Sequence, residues 1–292
     1  MAAAMSLAAL GPTWYWIGVG KASPILWFEV VPRLVATLIA TGILVAGGGA
    51  IWYPILLAVA MFAGPAIVYA TQAGAEILAL DRAEVVAILR RHPPAVIAET
   101  AAGAYNALAV TIVAAVTTAT QAARFVSGDK AYRIGQYSVG AMGNALQGWV
   151  VESGESRLGA RMRVVVGLHG ALGLVGLIAF GLLGPWLTGV LFGAEYAIDH
   201  LIAFGFGVAI LGIALGTAFG RIGLIVIGAR HAFMTCVVVA SVVGTLALIV
   251  GGSQGGAAGA AWALGSTELL SGVAQGIVFT VLWRRSFAGT QS

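Results

Sequence analysis

Ionisable residues inside long apolar runs are the first candidates for chemistry in this sequence. Glu29 and Arg33 are spaced i,i+4 around Pro32, so on a helix they share one face and can form an ion pair. Arg221 lies in a later apolar run, beside a ridge of small residues at Gly212, Gly216 and Gly220. A charge in an apolar environment is costly, so each is either paired, extended towards water, or retained for binding or transport.

Two carboxylates differ in their expected depth. Glu268 shares a helical face with Gly272 and Gln275, which favours an inward orientation and predicts a role in proton coupling. Glu99 follows shortly after Pro94, so a position at the level of lipid headgroups explains it without a function, and ion coupling is the alternative.

The sequence contains no motif for catalysis. It has no phosphate-binding loop with lysine, no His-Glu-x-x-His and no Cys-x-x-Cys. Cys236 is the only cysteine, which excludes a disulfide framework within the chain. We therefore expect neither an enzyme nor a bound metal or organic cofactor.

The composition indicates the kind of environment that surrounds these residues. Of 292 residues, 60% are hydrophobic and only 9% are charged, whereas charged residues make up roughly a quarter of a soluble domain. The chain is therefore predicted to be a membrane protein. Its net charge of +4 is better explained as a topology signal than as a nucleic-acid surface.

Long apolar runs predict the fold. A bilayer core of ~30 Å needs about 20 helical residues, and continuous runs of that length favour helices over the short alternating strands of a barrel. We expect an all-α polytopic membrane protein with about eight transmembrane helices. The predicted spans are residues 23–45, 51–69, 95–118, 132–151, 164–183, 201–227, 232–250 and 259–282.

The basic residues predict the orientation, because Lys and Arg collect in cytoplasmic connections. One side holds Arg124, Lys130 and Arg133 in one expected loop. The other side, with more basic residues, is predicted to be cytoplasmic, which places both termini inside. It holds Lys21, Arg82, Arg90, Arg91, Arg157, Arg161, Arg163, Arg230, Arg284 and Arg285. Between spans two and three, residues 74–92 are predicted to form an amphipathic segment on the cytoplasmic membrane surface.

Four stretches, in order along the chain, resemble one transporter family. They are Gly11-Pro-Thr-Trp-Tyr-Trp-Ile-Gly18, Ser127-Gly-Asp-Lys130 leading to Gly135-Gln-Tyr-Ser138, Leu191-Phe-Gly-Ala-Glu-Tyr196, and Gly256-Ala-Ala-Gly-Ala-Ala-Trp262. The sequence resembles Wzx-type polysaccharide flippases of the multidrug/oligosaccharidyl-lipid/polysaccharide exporter superfamily. Trp16 and Ile17 stand where the family pattern has Phe and Gln.

The resemblance implies two six-helix lobes, of which the first is incomplete. Residues 1–72 would be a partial first lobe, residues 73–94 a cytoplasmic inter-lobe linker, residues 95–285 a complete second lobe and residues 286–292 a cytoplasmic tail. The apolar residues 1–10 are too short to span a bilayer and resemble the tail of a missing helix, so we expect a truncated chain or a misplaced start.

The resemblance also implies a function at the inner membrane. The expected activity is the flipping of polyprenyl-pyrophosphate-linked oligosaccharide by alternating access, for surface polysaccharide synthesis. Arg33, Arg221 and Glu29 would lie at the diphosphate, and Glu268 and Glu99 would couple transport to an ion. The expected partners are the lipid-linked oligosaccharide, membrane lipid and a polysaccharide polymerase complex, with no nucleic acid.

Two alternatives stay open at this point. A drug or cation antiporter of the same superfamily would prefer acidic groups in its cavity. A truncated, non-transporting partner subunit of a glycan assembly complex is the other alternative, suggested by the missing helices.

Overall fold

A computed structural model describes residues 11–18, 23–73, 93–152 and 154–288, together with the single residues 81, 83 and 86. Every regular element in these ranges is a helix, and none of the described residues belongs to a strand. The predicted all-α class is therefore confirmed. The chain divides into two units, Met1–Arg90 and Arg91–Ser292, and each is described by itself.

The first unit contains a helical pair. Its elements are α1 (Thr13–Gly18), α2 (Ser23–Ile25), a π-helical stretch (Leu26–Val30), α3 (Val31–Val45), α4 (Trp52–Val68) and a second π-helical stretch (Tyr69–Ala73). Pro32 directly follows the π-helical stretch, at the point where the continuous helix from Ser23 to Val45 changes to α-helical geometry. α3 and α4 are joined by a turn in which Gly47 adopts a φ of 84°, a conformation that glycine reaches without strain.

The second unit is a larger bundle. Its elements are α5 (Pro93–Val116), α6 (Ala119–Val151), α7 (Gly154–Phe192), a 3-10 turn (Ala194–Tyr196), α8 (His200–Gly216), a π-helical stretch that continues α8 (Thr217–Leu224) and α9 (Arg230–Ala288). Thr118 caps α6 by accepting a hydrogen bond from the backbone of Gln121, and Asp199 caps α8 by accepting one from Ile202.

α9 is a helical hairpin. Gly256, with a φ of 58° and a ψ of −142°, interrupts the helix, so we call residues 230–255 arm α9a and residues 257–288 arm α9b. The arms run antiparallel, because Gly251 lies against Gly259 while Gly244, further from the turn, lies against Thr267. The absence of side chains at Gly251 and Gly259 lets the two backbones approach closely beside the turn.

Several helices are long and apolar enough to cross a membrane, as the composition predicted. Among the described residues there are five: Ser23–Val45, Trp52–Thr71, Arg157–Phe192, His200–Leu224 and Arg230–Arg285. The last contains both arms of α9, each longer than the about 20 residues that a bilayer core requires. In α5 the apolar part, Thr100–Val116, is shorter, and α6 does not qualify. The count of about eight spans stays a prediction.

The loop predicted around Arg124, Lys130 and Arg133 is wrong, because all three residues lie within α6. Only Thr117 and Thr118 separate α5 from α6. The helix extends through this polar stretch because one of its faces is packed in the core. Phe125 and Tyr132 are fully buried against Phe206 of α8, with ring centroids 5.2 and 5.5 Å apart.

The proposed linker, residues 73–94, lies mostly outside the described residues. Its first residue ends the second π-helical stretch, and Pro93 and Pro94 begin α5. Its amphipathic position on the membrane surface stays a prediction, as do the lobe boundaries.

Candidate functional site

A polar cavity lies within the second unit, among helices that are otherwise apolar. Its volume is about 190 Å³, and α5, α6, α8 with its π-helical continuation, α9a and α9b all line it. The polar side chains at its wall are Tyr105, Asn106, Gln136, Thr217, Arg221, Ser241, Thr267, Glu268, Ser271 and Gln275. Two of the residues singled out in the sequence, Arg221 and Glu268, are thus brought to one cavity.

Glycines on α8 and α9b explain how the two helices can approach so closely. A methyl group added at Gly212 would overlap the backbone of Glu268, and one added at Gly272 would meet the Gly212 carbonyl at 2.6 Å. The helices therefore touch backbone to backbone. Because of this contact, Glu268 lies beside α8 and lines the cavity.

Arg221 projects from the π-helical stretch Thr217–Leu224. Its Nη2 donates a hydrogen bond to Oδ1 of Asn144 on α6, at 3.1 Å. Since a guanidinium carries five N–H donors, this single bond orients the side chain and leaves most of its donor capacity for a ligand. A wider π-helical turn is a feature that often accompanies functional sites.

Gln275 provides a second polar group at the cavity wall. The residue is only 4% exposed, and its Nε2 donates to the hydroxyl of Ser271 at 3.0 Å. Its Oε1 is buried without a hydrogen-bond partner among the described residues. A buried acceptor without a partner is costly, so this oxygen is ready to accept a bond from a ligand or water.

Glu268 forms no ion pair within the described part of the chain. The two ion pairs found there are Glu29 with Arg33 and Asp129 with Arg133. Glu268 and Arg221 therefore face the same cavity as separate charges, and neither cancels the other through direct contact.

Glu29 and Arg33 belong to the first unit, where they pair with each other. Their closest approach is 3.5 Å, and Glu29 is 7% exposed while the Arg33 side chain is 36% exposed. The Thr13 hydroxyl lies 2.6 Å from both carboxylate oxygens of Glu29, which ties α1 to the π-helical stretch. The i,i+4 spacing therefore produced the pair that it predicted. A role for either residue in substrate binding stays a prediction.

The side chain of Glu99 lies outside the described part of the structure, so its role in ion coupling stays a prediction. His169, by contrast, is fully buried, and its Nδ1 lies 2.9 Å from the carbonyl oxygen of Val165. This contact is a hydrogen bond to the preceding turn of the same helix, so the ring nitrogen is used in the structure of α7.

The pair formed by Asp129 and Arg133 was not predicted from the sequence. Arg133 Nε donates to Asp129 Oδ2 at 2.9 Å, and Arg133 Nη2 donates to the backbone carbonyl of Asn106 at 3.2 Å. Asn106 lines the cavity, so this pair supports its wall from the side of α6. The signal was present in the i,i+4 spacing, but it has meaning only if the segment is helical.

Comparisons with known proteins found no similar protein. No family model, no curated protein and no solved structure matches the chain. The sequence motifs and the geometry of the cavity are therefore the observations from which a function can be inferred.

Proposed function

We propose that this protein is an inner-membrane transporter that flips an anionic lipid-linked oligosaccharide, carried on polyprenyl pyrophosphate, by alternating access. The observation that carries the proposal is Arg221, an arginine held by Asn144 at a polar cavity within an apolar helical bundle. The order of the four motifs along the sequence supports the same class of substrate.

The chemistry of the cavity suits a phosphate group. Arginine binds phosphate oxygens through two parallel N–H bonds, a planar geometry that matches the phosphate group. The hydroxyl group of Ser271, which accepts a bond from Gln275, lies at the same wall and can donate to a further phosphate oxygen.

The size of the cavity limits which part of the substrate it holds. A volume of about 190 Å³ is below the roughly 300–1,000 Å³ of pockets that enclose a drug-sized ligand. The cavity therefore fits a compact charged group such as the diphosphate. The oligosaccharide would lie outside it.

Glu268 provides a way to link substrate binding to protons. When ionised, its carboxylate repels a phosphate in the same cavity, and protonation removes that repulsion. Binding of the anion would then be accompanied by proton uptake at Glu268, and release of one would favour release of the other.

Glu268 also supports a second candidate, an antiporter of organic cations. An ionised carboxylate in a small cavity attracts a cation, and the aromatic rings of Tyr105 and Phe233 at the wall add to that attraction. In this case Arg221 would oppose binding, so the two candidates predict opposite effects of the same substitutions.

The test is transport by the full chain in proteoliposomes, with a fluorescent short-chain polyprenyl-diphosphate oligosaccharide as substrate. We expect Arg221→Ala to slow flipping by about 10-fold, because a hydrogen bond to a charged group contributes about 1.5–3 kcal/mol and the exposure of Arg221 keeps the effect at the lower end of that range. The matched control is Arg230→Ala, which removes an exposed arginine at the start of α9 that does not line the cavity.

Flipping by Arg221→Ala at the wild-type rate, with protein of wild-type stability, would reject the proposal. Uptake of an organic cation that rises in Arg221→Ala and disappears in Glu268→Gln would establish the antiporter instead.

A further inference from the structure

A second cavity in the same unit, separate from the one that contains Arg221, opens at the end of the bundle where α7 begins and α9b ends. Its volume is about 750 Å³. We call it the Arg163 groove, and its main lining residues are Gly159, Met162, Arg163, Phe219, Phe279 and Trp283.

The floor of the Arg163 groove is aromatic. The rings of Phe219 and Phe279 lie 5.9 Å apart between centroids, and those of Phe279 and Trp283 lie 5.3 Å apart. The rings, tilted by 44° from one to the next, form a continuous apolar surface against which an acyl chain can pack.

The rim of the Arg163 groove carries an arginine that has no partner among the described residues. Arg163 is exposed, and no hydrogen bond or ion pair reaches it from any side chain that the structure describes. The nearby Arg161 differs, because it donates to the backbone carbonyl of Trp149 and its guanidinium lies 4.6 Å from the centre of that ring. Arg163 is thus the arginine of this pair that is available to a ligand.

Apolar side chains next in sequence to the groove residues Arg163 and Gly167 are exposed on α7. Val164 and Leu168, which neighbour the groove on α7, are 46% and 45% exposed. Such exposure is expected for side chains that contact lipid. The groove therefore joins a lipid-facing helix surface to a cationic rim.

The surrounding charge is positive. The start of α7 carries Arg157, Arg161 and Arg163, and Arg284 and Arg285 follow Trp283 at the end of α9b. The two ends lie together, because a Cβ at Gly159 would be 3.5 Å from the Trp283 ring. Glu152 and Glu155 are the acidic residues next to this cluster in sequence, so the arginines outnumber them.

We propose that the Arg163 groove binds an anionic phospholipid, with its headgroup phosphate on Arg163 and an acyl chain along Phe219, Phe279 and Trp283. The positive-inside pattern predicts that this end of the unit is cytoplasmic, and anionic lipids are abundant in that leaflet. Basic pockets between helices at this level are suited to such headgroups. The proposal does not depend on the transported substrate.

The experiment uses the full chain, purified and delipidated in a mild detergent, with retained lipid counted by native mass spectrometry. Phosphatidylglycerol and phosphatidylcholine with identical acyl chains are the probes, so that the two lipids differ only in the headgroup, which is anionic in the first and zwitterionic in the second. We expect phosphatidylglycerol to bind about fivefold more tightly, the effect of one arginine near a membrane surface. Soluble glycerol phosphate, which has no acyl chain, should not compete.

Two kinds of variant separate the headgroup from the acyl chain. Arg163→Ala should abolish the preference for phosphatidylglycerol, Arg163→Lys should keep most of it, and Arg230→Ala should leave it unchanged. Gly167→Leu should weaken the binding of both lipids at least fivefold, because Gly167 lines the groove. An added Cβ there meets no atom within 4 Å, so this variant should fold normally.

Equal retention of the two lipids by the wild-type protein would overturn the proposal, as would an unchanged preference in Arg163→Ala. Competition by glycerol phosphate would identify a site for a free anion instead. A dimer that dissociates in Gly167→Leu would show that a second copy of the chain occupies the groove.

Discussion

The hydrogen bond from Arg221 Nη2 to Asn144 Oδ1, 3.1 Å long, joins the π-helical stretch after α8 to the C-terminal third of α6. It fixes the direction of the one arginine at the wall of the polar cavity, among the described lining residues. Asn144 therefore acts as a positioning residue, and Arg221 is the group that would contact the substrate.

Replacement of Asn144 should weaken substrate binding, although the positive charge of Arg221 stays in place. Asn144→Ala deletes one hydrogen bond to a charged group, which contributes about 1.5–3 kcal/mol, but solvent exposure of Arg221 reduces this to a loss of about threefold to tenfold in affinity. The check is titration of the diphosphate lipid against both single variants and the double variant. If Asn144 acts through Arg221, the double variant should bind no more weakly than Arg221→Ala alone.

Protonation of Glu268 should favour the anionic substrate, so wild-type affinity should rise as the pH falls. Removal of the ionisable group in Glu268→Gln should hold affinity at the high level found at low pH and make it independent of pH. Equilibrium binding of the diphosphate lipid between about pH 5 and pH 9 measures both curves. Affinity that keeps its wild-type pH dependence in Glu268→Gln would exclude Glu268 from coupling.

The contact of α8 with α9b should tolerate no side chain at Gly212. Gly212→Ala places a methyl group into the backbone of Glu268 and forces the helices apart, which should destabilise the protein by about 1–3 kcal/mol. Gly103→Ala is the control, since a Cβ there meets nothing within 4 Å and alanine favours the helix. Thermal unfolding in detergent should show a lower Tm only for the first variant, and equal Tm values would contradict the close contact.

The pair of Asp129 and Arg133 should matter for stability within α6. Asp129→Asn leaves Arg133 without its carboxylate, and since Arg133 is 30% exposed we expect a loss of about 1–2 kcal/mol rather than the about 3–5 kcal/mol of a fully buried pair. Asp129→Leu combined with Arg133→Met should recover most of that loss. Chemical unfolding measures the free energy of unfolding of the single and double variants. A double variant less stable than Asp129→Asn would contradict this prediction.

Local sequence pattern was sufficient to predict one ion pair and the helical fold class. The Glu29–Arg33 pair follows from its i,i+4 spacing, and the helical class follows from apolar runs of spanning length. The i,i+4 spacing did not lead to a predicted pair for Asp129 and Arg133, because the polar residues around them predicted a loop instead of a helix. The helix persists there because Phe125 and Tyr132 are buried against Phe206, a contact between distant parts of the chain.

By itself, the sequence determined that this is a helical protein with membrane-spanning character, since composition and apolar run length act locally and need no partner. Only the tertiary structure decided that Arg221 and Glu268 share a cavity. They lie on different helices, and their meeting depends on the small residues that let α8 and α9b touch, and on the turn at Gly256 that folds α9 back. Such contacts depend on the close packing of backbones distant in sequence, which the period of an apolar pattern does not encode.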